Sequence, residues 1–300
     1  KNKKFSDKTK KILFNINEKK KLKNINHFDR WSNIRKSIYG NEKLKEIKIY
    51  AEFISKKKIL QIQRIAGQKN SQLYKVFFKN GLVAALKNYP PYDFDKRDRL
   101  KREFQGLELL KKNNFKHISK VLYWDEALNI VIFKWIPGRK PIKIDTNDLN
   151  QSLNFVRKIK TLSRKKVQNF NFDAVESCKS LKDITNQINF KISNLLKFKI
   201  KSSKLQHFLK FNLKPTYLNL YKEAQQSKMF KLFNTPIKKD HEILSPSDFG
   251  FHNSIKDTKK IIFIDFEYFG KDDPVKLTAD FVLHPGMKLK DTQKKNWLKS

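Results

Sequence analysis

The spacing of hydrophobic and polar residues along the 300-residue chain predicts a strand-rich segment followed by a helix-rich one. Apolar stretches on either side of Lys79-Asn80-Gly81 predict a β-hairpin with its turn at these three residues. Residues 98–113 carry apolar side chains at three- and four-residue spacing, which indicates a helix, and 121–125 and 129–138 resemble a second pair of strands. This part of the chain therefore predicts a small, mostly antiparallel sheet interrupted by one helix.

Residues 145–235 differ, because long lysine-rich stretches carry Leu, Ile and Phe at helical spacing. A turn-rich segment follows at 245–253, and then a short apolar strand ends at Ile264. We predict an α+β fold of two lobes, in which a small antiparallel β lobe with one helix precedes a larger, mostly helical lobe. The predicted divisions are a basic N-terminal extension at 1–48, the β lobe at 49–136 and the helical lobe at 137–300.

Charge is the most unusual feature of the composition, with 67 Lys and Arg against 29 Asp and Glu and a formal net charge of +38. A nucleic-acid or anionic-membrane binder is one interpretation, supported by the basic residues 1–48 with Phe28 and Trp31. However, only nine of the 67 cationic residues are arginines, and the lysines are spread over the whole chain. We therefore expect no specific nucleic-acid partner, and at most a weak association with anionic surfaces.

Compartment and membrane topology are indicated by equally simple counts. A single cysteine, Cys178, cannot form an internal disulfide, so a reducing, cytoplasmic environment is expected. No apolar run approaches the ~20 residues that a membrane-spanning helix needs, so no transmembrane segment is predicted.

Three polar residues near the C-terminal end have a spacing that suits phosphoryl transfer. Asp248 is followed five positions later by Asn253, and Asp265 ends the last apolar strand. An aspartate on a loop can accept the proton of an attacking hydroxyl, while an Asn and a second Asp can hold Mg²⁺ against nucleotide phosphates. Each residue alone is also a common turn or strand-end residue, and it is their combination that points to a site.

The literal Asp248-Phe249-Gly250 matches the metal-binding triplet of protein kinases, but the catalytic Asp-x4-Asn loop that should precede it is absent from the sequence upstream. Asp248 with Asn253 fits the catalytic loop better, and Asp265 then begins the metal loop. Gly250 occupies the position where protein kinases carry a lysine, which argues against a protein substrate.

The predicted β lobe provides an independent indication. Alternation along the second hairpin strand puts Lys87 on one face with Val83 and Ala85. On the following helix, Glu103 falls within the inward stripe of apolar residues. Because a buried carboxylate is costly unless it is paired, we predict an ion pair between Glu103 and Lys87, the pair that a kinase-like nucleotide site needs.

With these residues in place, residues 50–290 resemble the aminoglycoside phosphotransferase and choline kinase family, the small-molecule branch of the protein-kinase-like fold. That family carries a His-Gly-Asp-x4-Asn loop and an Ile-Asp-Phe/Trp-Glu strand end; here the sequences are Pro246-Ser247-Asp248 with Asn253, and Ile264-Asp265-Phe266-Glu267. The resemblance implies ATP as donor, Asp248 as catalytic base, and Asn253 and Asp265 as Mg²⁺ ligands. Pro246 replaces the usual histidine, which is thought to brace the loop.

The resemblance also implies how the nucleotide is held. The loop containing Gly67, Asn70 and Ser71 occupies the position of the phosphate-covering loop, although a single glycine is a weak signal. Main-chain groups around Phe133 to Trp135 would hold the adenine base. The resembled fold continues with further helices beyond the closing Ser300, so this lobe is either short or truncated.

The acceptor is not named by these motifs. A protein of this charge should repel a polycation at long range, so we expect a neutral or anionic small-molecule hydroxyl acceptor, such as a sugar. Two alternatives remain: a catalytically inactive kinase-like binding module, for which Pro246 is the argument, and the nucleic-acid or membrane binder.

Overall fold

The computed structural model describes residues 44–66, 71–92, 94–166, 169–197 and 203–300. Most of the predicted N-terminal extension, residues 1–43, lies outside these ranges. The first described helix, α1, spans Leu44–Ser55 and begins before the predicted division at residue 48, which stays a prediction.

A five-stranded antiparallel sheet forms the first half of the described chain, with strand order β1-β2-β3-β5-β4. The predicted hairpin is present, since β2 and β3 pair on either side of the turn that contains Gly81. The second predicted strand pair is present as β4 and β5, and β5 pairs with β3. The strands are β1 (Ile59–Ile65), β2 (Gln72–Phe78), β3 (Val83–Asn88), β4 (Val121–Asp125) and β5 (Ile130–Lys134).

Two helices pack against this sheet, one on each side. Helix α1 buries Ile47 and Tyr50 in a cluster with one set of alternating strand residues, including Ala84 and Leu86 of β3. Helix α2, which spans Arg99–Lys112, belongs to the other cluster. The alternation of β3 thus sends Ala85 and Lys87 toward the α2 side, as the sequence predicts.

The remaining helices build the larger, mostly helical part, together with a π-helical stretch at Phe208–Leu213. Aromatic rings hold its center: Phe155 of α3 stacks on Phe249 at 5.1 Å between ring centroids, and Phe281 of α7 stacks on Trp297 at 4.4 Å. The helices are α3 (Thr146–Lys166), α4 (Leu181–Lys197), α5 (Ser203–His207), α6 (Lys214–Gln226), α7 (Pro274–Leu283) and α8 (Asp291–Lys299).

Two short antiparallel strand pairs lie within the helical part and present the loops that carry the candidate chemistry. β7 (Ser254–Asp257) and β8 (Lys260–Phe263) form a hairpin that begins just after Asn253 and ends just before Asp265. β6 (Ile243–Ser245), which leads into Asp248, pairs with β9 (Gly270–Asp272). Both loops therefore emerge from strands with fixed partners.

The predicted fold class is confirmed: an antiparallel sheet precedes a mostly helical part that contains short strand pairs, and two helices rather than the predicted one pack against the sheet. None of the described helices combines the length and the apolar character needed to cross a bilayer.

One close contact fixes the position of α2 over the segment that follows Asp265. A Cβ atom added to Gly106 would lie 2.6 Å from Cγ and 2.8 Å from Cδ1 of the buried Phe269 ring. Contacts this short cannot form, so any side chain at this position would push the helix away from the ring.

We predict that Gly106→Ala destabilises the protein, although Gly→Ala within a helix normally stabilises by about 1 kcal/mol. The forced displacement should lower the free energy of unfolding by about 1–3 kcal/mol, measured by urea denaturation. Lys112→Ala, at an exposed position of the same helix, is the control and should change stability by less than about 0.5 kcal/mol. A stabilised Gly106→Ala protein would contradict the close packing.

Candidate active site

A buried lysine lies at the center of the candidate site. Nζ of Lys87 is 2.8 Å from Glu103 Oε2, 2.6 Å from Asp265 Oδ1 and 2.9 Å from Glu267 Oε2. The pair with Glu103 is the one that the strand and helix patterns predict. The two further carboxylates come from the loop after β8, so one ammonium group joins β3, α2 and that loop.

The protonation of this cluster follows from burial and from its opposed charges. Burial alone would lower the pKa of Lys87, but Asp265 and Glu103 outweigh it and raise that pKa well above the usual value. Burial raises the pKa of Glu103 against the opposing effect of Lys87. For Glu267 burial would also raise the pKa, but Lys87 and Arg99 hold it below its usual range. The lysine is therefore a permanent cation at this site.

Glu103 also fixes the loop that contains Asp265. Its Oε2 accepts a 2.5 Å hydrogen bond from the Tyr89 hydroxyl, and its Oε1 accepts one of 3.2 Å from the backbone N–H of Phe266. Asp265 itself adopts a left-handed backbone conformation, with φ of 67°. This uncommon conformation for a non-glycine residue is the kind that surrounding contacts must maintain. The contacts of Glu103 supply that constraint.

Arg99, at the start of α2, is a site residue that the sequence interpretation missed. Its side chain is 1% exposed and contacts Asp95 at 2.6 Å through Nε, while Nη1 pairs with Glu267. Nη1 also donates to the Tyr268 hydroxyl at 3.2 Å. The sequence contained one signal for the importance of Arg99. It is one of few arginines in a chain that otherwise uses lysine, and it stands at the first position of a helix.

The predicted catalytic loop brings Asp248 and Asn253 together. Nδ2 of Asn253 donates to Asp248 Oδ2 at 2.9 Å and to the Asp248 carbonyl oxygen at 3.0 Å. Nε2 of His252 donates to the other carboxylate oxygen, Asp248 Oδ1, at 2.8 Å. Burial would raise the pKa of Asp248, but the hydrogen bond and the charge of His252 hold it below the usual value. The carboxylate is 43% exposed and ionised, and can accept a proton.

His252 was not identified from the sequence. The turn at 250–253 brings it back onto Asp248 four positions earlier, an i,i+4 relationship that a reading of the turn could have found. Its ring stacks on His284 with 3.9 Å between centroids.

Pro246 and Ser247 hold the start of the loop without the histidine that the resembled family carries. Ser247 has φ of 66° and donates from Oγ to the Val175 carbonyl oxygen at 3.0 Å. Its own N–H donates to Oγ of Ser245 at 2.9 Å. The backbone before Asp248 is therefore anchored on both sides.

A cavity of about 400 Å³ contains most of the residues predicted to bind a nucleotide. Lys87, Glu103, Asn253 and Asp265 line it. Ser71, whose Oγ donates to Glu267 Oε2 at 3.2 Å, lines it as well, as do Phe133 and Trp135. The backbone N–H of Trp135 donates to the Val83 carbonyl oxygen at 3.2 Å. Gly67 and Asn70 lie outside the described residues.

A second cavity, of about 450 Å³, adjoins the first at the catalytic loop. Asp248 lines this cavity, whereas Asn253 and Asp265 line the first, and His252 lines both. The catalytic loop thus contributes to two neighbouring spaces, each of a size suited to a small molecule.

Comparison with known proteins relates this geometry to a fold. Neither a scan against models of protein families nor a search of curated proteins found a match. Among solved structures, a spectinomycin phosphotransferase in complex with ADP and spectinomycin matches with a TM-score of 0.60 and 15% identity, over 86% of this chain and 79% of that chain.

Two further solved structures show the same similarity. A macrolide 2′-phosphotransferase from Brachybacterium faecium matches with a TM-score of 0.57 and 10% identity, over 85% of this chain and 81% of that one. A choline kinase from Streptococcus pneumoniae matches with a TM-score of 0.53 and 16% identity, over 85% and 78%. The resemblance stated from the sequence is therefore confirmed at the level of the fold: the chain has the protein-kinase-like fold of the small-molecule kinases.

Proposed function

We propose that the protein is a small-molecule kinase that transfers the γ-phosphoryl group of ATP to a hydroxyl group. One observation carries the proposal: the Lys87–Glu103–Asp265 cluster and Asn253 line one cavity, and Asp248, bound to Asn253, lines the next. A cation and oxygen ligands in the first cavity suit nucleotide phosphates, and a carboxylate in the second suits a hydroxyl acceptor. The similarity in fold to solved phosphotransferases and kinases supports phosphoryl transfer to a small molecule.

The donor set of the first cavity fits Mg²⁺. Asp265 offers a carboxylate, and because the Asn253 amide nitrogen donates both bonds to Asp248, the amide oxygen is the atom that can bind a cation. These are the hard oxygen ligands that Mg²⁺ prefers. Bound there, Mg²⁺ would neutralise charge on the nucleotide phosphates.

The protein's own groups have separate tasks in the reaction. Lys87, kept charged by its carboxylates, binds phosphate oxygens in the part of the cavity where Ser71 shares Glu267 with it. An apolar section that includes Ala85 and Phe133 accommodates the adenine base beside the 133–135 backbone. Such a site works by positioning and electrostatics rather than by covalent chemistry with the protein.

Asp248 acts as the base in the transfer step. Its carboxylate accepts the proton of the acceptor hydroxyl as that oxygen bonds to the γ-phosphorus, and the bond from the γ-phosphorus to the β–γ bridging oxygen breaks to release ADP. The carboxylate is suited to this task because it is ionised, partly exposed and held by two donors.

The second cavity supports an acceptor without excess positive charge. Of its acidic residues, Glu176 pairs with Lys191 at 2.7 Å, and Asp280 pairs with Lys276 at 2.6 Å. These charges cancel, so the carboxylate that remains for an acceptor is Asp248. A polycation would find little compensation there and would be repelled by a protein of net charge +38. We favour a neutral polyhydroxylated compound, such as a sugar, over an anionic one.

Asp248→Asn should lower kcat by about 100-fold or more, because the amide cannot accept the hydroxyl proton. Binding of ATP should change little, since Asp248 lines the other cavity. Mg²⁺-dependent release of ADP in the presence of an acceptor is the measurement, and EDTA should abolish it. The matched control, Asp257→Asn in the β7–β8 turn, should retain full activity.

Two outcomes would contradict the assignment. Equal turnover by the wild type and Asp248→Asn would exclude this base. Nucleotide binding without any turnover, across a wide panel of acceptors, would identify an inactive binding module instead.

The acceptor preference can be measured with paired compounds, such as a neutral sugar and its amino derivative. We expect kcat/KM for the neutral sugar to exceed kcat/KM for a polyamine-like aminoglycoside by about 10-fold or more at low ionic strength. The reason is that charge repulsion slows the encounter of a positively charged acceptor with this positively charged protein. Added salt should leave kcat/KM for the neutral acceptor unchanged and should reduce the difference in kcat/KM between the two acceptors. Activity confined to polycations and indifferent to salt would refute the charge argument.

A further inference from the structure

The Asp248 carboxylate must be held to within about 0.5 Å of its working geometry if it is to act as a base. Its side chain is 43% exposed, so packing alone does not hold it. Pro246, which stands where the resembled family carries a histidine, has no side-chain donor. Two side chains donate to the carboxylate: the amide nitrogen of Asn253 holds Oδ2 at 2.9 Å, and Nε2 of His252 holds Oδ1 at 2.8 Å. Because the amide oxygen of Asn253 also serves the metal in the proposed reaction, His252 is the donor with no other assigned task.

A second segment of the chain fixes the ring of His252. His284 stacks against it at 3.9 Å, with 15° between the ring planes. The backbone N–H of Gly286 donates to Nδ1 of His284 at 3.1 Å, which sets the orientation of the second ring. Both histidines thus belong to one packed unit, made by the catalytic loop and the turn at 284–287.

Glycine and methionine complete this unit. The Phe251 N–H lies 3.0 Å from Sδ of Met287, and a Cβ added to Gly250 would lie 2.4 Å from the same sulfur and 2.9 Å from His252 Nδ1. A Cβ on Gly286 would lie 3.1 Å from Cβ of His252. A side chain at Gly250 or Gly286 would therefore have to displace Met287 or one of the two histidines.

The buried Nδ1 of His252 indicates that this residue does more than fill space in the packed unit. Its Nδ1 is buried and has no hydrogen-bond partner among the described residues. Leaving such a group unsatisfied costs about 1–3 kcal/mol. An apolar ring would fill the same space without that cost, so the histidine brings something that packing does not need: the Nε2–H donated to Asp248.

We propose that His252, held by the His284–Met287 turn, is the positioning residue that orients the Asp248 carboxylate. The inference rests on the proposed kinase function. His252 does not exchange protons with the substrate in this account; it acts through Asp248. The 284–287 turn is in turn a support for the catalytic loop.

Two substitutions separate positioning from structure. His252→Phe keeps the ring and removes the donor, whereas in His252→Gln the amide nitrogen keeps a donor at a similar distance. We expect His252→Phe to lower kcat by about 10- to 100-fold, the range for a displaced catalytic group. The KM for ATP should stay within about 2-fold and the melting temperature should change little, because the lost bond to Asp248 and the removal of the unsatisfied nitrogen have opposite effects on stability. His252→Gln should retain kcat to within about 5-fold, since a donor remains.

His284→Ala should lower kcat by several-fold, and its effect should disappear in the His252→Phe background, because it acts through His252. His241→Phe, the same change at an exposed position, is the control. The assay is Mg²⁺-dependent ADP release at saturating ATP, with thermal unfolding recorded for every variant.

Three results would overturn the inference. An unchanged kcat in His252→Phe would exclude a positioning role. If His252→Phe and His252→Gln lose the same amount of activity and also the same amount of melting temperature, the role of His252 is purely structural. If the wild type itself shows no turnover that depends on Asp248, the proposed function fails and this inference fails with it. Normal wild-type turnover with an unaffected His252→Phe contradicts the inference alone.

Discussion

The ammonium group of Lys87 is the interaction on which the rest of the site depends. It lies within 2.9 Å of three carboxylates, from α2 and from the loop after β8, in a place where Lys87 and Glu103 are almost inaccessible to water. Carboxylates this close repel one another, and their burial away from water costs further free energy. A cation between them compensates both the repulsion and the lost hydration. Removing the lysine would break the link of β3 to both α2 and the Asp265 loop, while Glu103 and Arg99 would still join α2 to that loop.

The residues that line the two cavities differ in how closely they match the pattern of the resembled family. In the first cavity, Lys87, Glu103 and the proposed metal ligands Asn253 and Asp265 match the pattern of the resembled family. On the acceptor side, the loop is held by His252 and the 284–287 turn, and the cavity contains lysine–carboxylate pairs such as Lys276–Asp280. The fold is thus shared with solved kinases at 10–16% identity, while the residues around the second cavity are this chain's own.

Local rules account for what the sequence predicted. The Asn-Gly turn, the alternation along β3 and the helical stripe of α2 each depend on residues close in the chain, and together they place Lys87 beside Glu103. The helical stripe of α2 also includes Phe104, but this ring lies at the edge of the packed face and not within it. It stacks at 4.0 Å on the exposed ring of Trp124. Arg99 with Glu267, and His252 with His284, join segments that no periodicity relates, so these contacts appear only in the folded chain.

Binding of a non-hydrolysable ATP analogue with Mg²⁺, measured by calorimetry, tests the central claim most directly. The account predicts micromolar to millimolar affinity that depends on the metal, and a loss of at least about 10-fold in Lys87→Met, because a phosphate contact is removed. Thermal unfolding of the variant shows whether it remains folded. Undetectable binding to the wild type at millimolar analogue, or equal affinity in a folded Lys87→Met protein, would contradict it.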